Sequence, residues 1–72
     1  MPKYEFAIFN EKVRAAVKEG DSFPGYEDSW ADMHYIEAAG TVVDMARATI
    51  DRQYPARHGF VVDHFTEVEP DG

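Results

Sequence analysis

A chain of 72 residues that contains no cysteine has to hold its fold without a covalent cross-link. At this length a hydrophobic core sits close to break-even against conformational entropy, and small domains commonly add disulfides, a metal or a second chain. Disulfides and thiolate metal sites are excluded here, which fits a reducing compartment. Two routes to stability remain. One is a densely packed core built on the ten aromatic side chains, and the other is burial of extra surface against another chain. The expectation is a homodimer or a partner-bound protein.

A hydrophobic content of 44% with 14% aromatics is too high for a disordered chain. No run approaches the roughly 18 apolar residues that a membrane span requires. The start, Met1-Pro2-Lys3-Tyr4-Glu5, lacks the apolar centre of a secretory signal. The chain therefore reads as one small cytoplasmic domain over residues 1–72, away from membranes, with a frayed tail at 69–72.

Tyr4, Phe6 and Ile8 alternate with other residues, which predicts a strand. Asn10 stands where a helix N-cap belongs, because its side-chain oxygen can accept from an early helical amide. Val13, Ala16 and Val17 follow at helical spacing and Gly20 ends the run, predicting a helix over about 11–19. A second strand through Val13 to Val17 is the competing reading, which the mid-run alanines oppose. Residues 20–29 are turn chemistry, with Pro24-Gly25 suited to the centre of a type II turn. A strand is expected over Ala31 to Ala38, ended by Gly40.

Thr41-Val42-Val43-Asp44 resembles a capping box, and Val42, Val43, Met45, Ala46, Ile50 and Tyr54 make a broad apolar stripe. The predicted helix over 42–54 ends before Pro55. Gly59 then opens a last strand over Phe60 to Val68. The order β-α-loop-β-α-β predicts an α+β two-layer sandwich, a small three- or four-stranded sheet with both helices on one face. A fourth strand would have to lie within residues 20–30.

The net charge of −7 is unevenly distributed. Residues 19–44 hold seven acids and no Lys or Arg, whereas residues 1–18 and 45–59 each sum to +2. A solvated, solubilising surface is the plain explanation. The functional explanation is an acidic surface for a basic protein partner. Direct nucleic-acid binding is not expected, since the chain offers no cluster of Lys and Arg for phosphates. Spaced carboxylates could instead imitate nucleic-acid charge.

Evidence for catalysis is missing: there is no P-loop, no G-x-G-x-x-G and no nucleophile elbow around Ser22 or Ser29. No cofactor is implied. The leading expectation is a non-catalytic interaction module, a small acidic regulator or inhibitor. Its candidate binding residues are Phe23, Tyr26, Glu27, Asp28, Trp30 and Asp32. Aromatics would supply anchors there, and carboxylates would steer a basic partner. The alternative is a histidine/carboxylate metal site from Asp32, His34, Asp63 and His64, which requires the strands carrying His34 and His64 to be neighbours.

If residues 42–54 pack as the stripe predicts, Ile50→Ala should cost about 2–5 kcal/mol in urea denaturation. A loss below about 0.5 kcal/mol would remove this face from the core.

Overall fold

Alternation in Tyr4-Glu5-Phe6-Ala7-Ile8 builds β1 (Lys3–Asn10), which becomes the central strand. The computed structural model describes residues 2–68, so the expected fraying of 69–72 lies outside it. After β1 come α1 (Glu11–Lys18), a 3₁₀ turn at Asp28–Ala31, β2 (His34–Ala39), α2 (Val43–Gln53), a second 3₁₀ turn at Ala56–His58, and β3 (Phe60–Val68). The sheet order is β2-β1-β3, with both neighbours antiparallel to β1. This is the expected α+β domain, three strands and two helices among the described residues. Residues 13–17 are helical, and the 20–30 segment contributes a 3₁₀ turn rather than a fourth strand.

Tyr4, Phe6 and Ile8 point to one face of β1 and are buried. Ala46 and Ile50 of α2 and Phe60 of β3 complete that core, and Val43, Ile36, Ala38 and Val62 pack around it. α2 lies over β2 and β1. Its start approaches the backbone closely at Gly40, where a Cβ would stand 2.7 Å from the Ala46 nitrogen. α1 packs chiefly on the first 3₁₀ turn, placing a helix against the loop that carries the acids.

Asn10 organises the junction between these elements. It is fully buried, and its Oδ1 accepts from the Lys12 and Val13 amides at 3.0 and 3.1 Å. Its Nδ2 donates to the His58 carbonyl at 3.0 Å, and the Glu11 amide donates to the Gly59 carbonyl at 2.8 Å. One side chain thus ends β1, caps α1 and fixes the approach to β3. Gly59 has a φ of +99°, and a Cβ there would fall 2.6 Å from Asn10 Oδ1. Only glycine fits both the backbone and the space.

α1 closes as its sequence predicts, at Glu19-Gly20. Gly20 adopts a φ of +80°, its amide donates to Val17, and the Asp21 amide donates to Ala16, which is the Schellman pattern. The capping box at α2 is not formed. Val42 occupies the N-cap and no side chain bonds there, so Thr41 does not act as a cap. β2 starts at His34 instead of Ala31, because residues 28–31 turn and the Arg14 Nε donates to the Ala31 carbonyl at 2.8 Å.

β3 carries an irregularity. Ala7 pairs with His64 and Ile8 with Val62, leaving Asp63 as an extra residue in a bulge.

Asn10→Ala removes a cap and leaves buried backbone groups unpaired, so it should cost about 2–4 kcal/mol. Asn10→Ser keeps the acceptor for α1 and should lose less. Equal losses in chemical denaturation would show that capping is not what Asn10 contributes.

Candidate functional site

The acidic loop is held by rings. Pro24-Gly25 forms the expected turn, with Gly25 at a φ of +91° and the Tyr26 amide donating to the Phe23 carbonyl at 3.3 Å. Phe23 stacks on Tyr26 with ring centres 5.9 Å apart. Tyr26 meets the edge of Phe60 at 5.5 Å, and its hydroxyl lies 3.1 Å from His58 Nδ1. Trp30 contacts Phe60 at 5.2 Å and Tyr54 at 5.5 Å, while His34 stacks on it at 4.0 Å. Phe60 is buried at the centre of this group.

These contacts divide the six candidate residues into two sets. Phe23, Tyr26 and Trp30 are each half-buried, and Tyr26 and Trp30 pack against the core, so the rings act as supports for the loop. Glu27, Asp28 and Asp32 are exposed. Glu27 precedes the 3₁₀ turn, Asp28 begins it and Asp32 follows it, which spaces the carboxylates around one short backbone segment. Among the described residues the contacts between basic side chains and carboxylates are Arg47–Asp51 and His64–Asp63, so none of these three acids is in one. Ser22 donates a long hydrogen bond of 3.4 Å to Asp28.

Arg14 is the site residue that sequence reasoning missed. Its guanidinium lies 3.7 Å from the centre of the Phe9 ring while Nε holds the Ala31 carbonyl. Such a fastening spans 17 residues and leaves no local signature. The Trp30–His34 stack did have a signal, since an aromatic and a histidine stood close together at the entry to an expected strand.

The alternative metal set is dispersed. β1 separates β2 from β3, so His34 and His64 sit on opposite edge strands. His34 pairs with Ile8 and His64 with Ala7, so they also point to opposite faces. His34 Nε2 is 3.0 Å from the Ser29 carbonyl, and His64 Nδ1 is 2.7 Å from Asp63 Oδ2. Among the described residues, no three His, Cys, Asp or Glu side chains are grouped to hold a metal ion. Comparison with known protein families, curated proteins and solved structures finds no match to this chain.

Trp30→Ala should lower stability by about 2–4 kcal/mol, because it removes the ring that packs on Phe60, Tyr54 and His34. Tyr26→Phe should change it by less than about 1 kcal/mol, since its hydroxyl bond is exposed. Both are read by denaturant unfolding, and the reverse order would relocate the support of the loop.

Proposed function

We propose that this chain is a non-catalytic interaction module that binds a basic protein through its acidic loop and thereby regulates or inhibits it. The observation that supports this reading is the state of Glu27, Asp28 and Asp32. They are exposed, outside any ion pair, and carried on backbone that aromatic packing has already ordered.

A pre-ordered loop loses little conformational freedom on docking, which favours affinity. Its unneutralised carboxylates attract a basic surface over a distance and raise the encounter rate. Lys and Arg side chains that ordinarily hold phosphates are suitable targets, and the acids would stand in for nucleic-acid charge there. The partner is a protein rather than a nucleic acid, because phosphates would be repelled by this loop. No described helix is long and apolar enough to cross a membrane. A cysteine-free chain suits action in the cytoplasm.

The test is kinetic. A partner is captured from the host lysate by wild type and must be absent when Glu27→Lys/Asp28→Lys is used as bait. Its association rate with wild type should fall as salt rises, because attraction is screened over about 10 Å at 0.1 M. The double lysine variant should associate at least about tenfold more slowly with an unchanged melting temperature. Association that ignores both salt and charge reversal would reject the acidic loop as the docking surface.

A further inference from the structure

β2 is an edge strand, so the main-chain groups along its outer side have no partner strand. Edges are ordinarily blunted by proline, lysine or a bulge. His34–Ala39 contains no proline or lysine, and its register with β1 runs without a shift from Ile8–His34 to Lys3–Ala39. The other edge, β3, is interrupted by the extra residue at Asp63. Of the two edges, β2 is the one open to an added strand.

The side chains of β2 define what such a strand must carry. Ile36 and Ala38 face the core layer and are half-buried, so apolar neighbours suit that side. Tyr35 and Glu37 point to the opposite face, where Tyr35 is 59% exposed. Glu37 stands directly across from Glu5 of β1, a like-charge pair that opposes stability. Neither carboxylate contacts a basic side chain among the described residues. Lys3, opposite Ala39, is the one lysine or arginine on the three strands. A cation on an added strand would relieve the Glu5–Glu37 pair and lie within reach of the Tyr35 ring. Ala38 and Ala39, with Lys3 and Glu37, also line a shallow hollow of about 250 Å³, room for an incoming side chain. The acidic character continues on both sides of the strand. Between Glu27 and Asp44 the charged residues are Glu27, Asp28, Asp32, Glu37 and Asp44, all acids.

We propose that β2 takes up an extended basic segment of a protein partner as a fourth strand. Lysines or arginines of that segment lie on the Glu5–Glu37 face, and the apolar residues alternating with them lie beside Ile36 and Ala38. Main-chain bonds to the edge supply affinity, and the alternating side chains supply specificity. β2 begins two residues after Asp32, so one segment can meet the acidic loop and continue along the strand. The proposal rests on the acidic-loop reading for the partner's charge, but it places the contact on a different element.

The probe is a capped peptide of about eight residues alternating valine and lysine, long enough to span β2. At saturation, hydrogen exchange within residues 34–39 should slow at least about tenfold at alternate amides, those directed away from β1. Exchanging its lysines for glutamates should weaken binding at least about tenfold in calorimetry. A proline at its centre should do the same, because it removes a main-chain donor. Glu37→Lys should also weaken binding at least about tenfold, with a melting temperature that holds or rises, since the new lysine faces Glu5. No binding, unchanged exchange along β2, or equal binding of the glutamate peptide overturns the proposal. The loop reading fails separately. A captured partner that depends on Glu27 and Asp28 but ignores Glu37→Lys keeps the loop and overturns the edge. A peptide that binds β2 as expected, beside a partner that ignores Glu27→Lys/Asp28→Lys, supports the edge and rejects the loop.

Discussion

Four parts of the chain meet at the Asn10 carboxamide. Its oxygen satisfies two of the amides that open α1, and its nitrogen satisfies the carbonyl of His58. A buried polar side chain is tolerated only when its bonds are made, and no described buried side-chain atom is left without a partner. With Asn10 in place, β1 passes into α1 with no intervening loop, and the entry to β3 is held against the same point. Without that coupling, the central strand and its long-range neighbour would be positioned by packing alone. In a chain of this length packing has little surplus.

The aromatic group extends the same logic from fold to surface. Phe60 follows Gly59 directly, so its ring is placed by the Asn10 junction. Tyr26, Trp30 and Tyr54 then meet Phe60 from three separate segments. Edge-on ring contacts have preferred geometry beyond their burial, which turns a ten-residue polar loop into a defined surface. Arg14 adds a clasp from α1. The exposed carboxylates owe their positions to rings that pack against the core.

Sequence patterning revealed most of the architecture for physical reasons that differ by element. β1 was legible because its buried face alternates cleanly, and the Asn10 cap and Gly20 stop were legible because each acts on its near neighbours. α2 was legible from the stripe through Ala46 and Ile50, but its capping box was not formed. There Gly40 lets the helix start press onto the strand, and tertiary packing replaces a local cap. β2 was read three residues too early since Ala31 gives up its place in the strand to accept from Arg14. Strand order was not legible at all. Both histidine–carboxylate pairs look alike in sequence, and only the position of β1 between them shows that His34 and His64 cannot share a ligand.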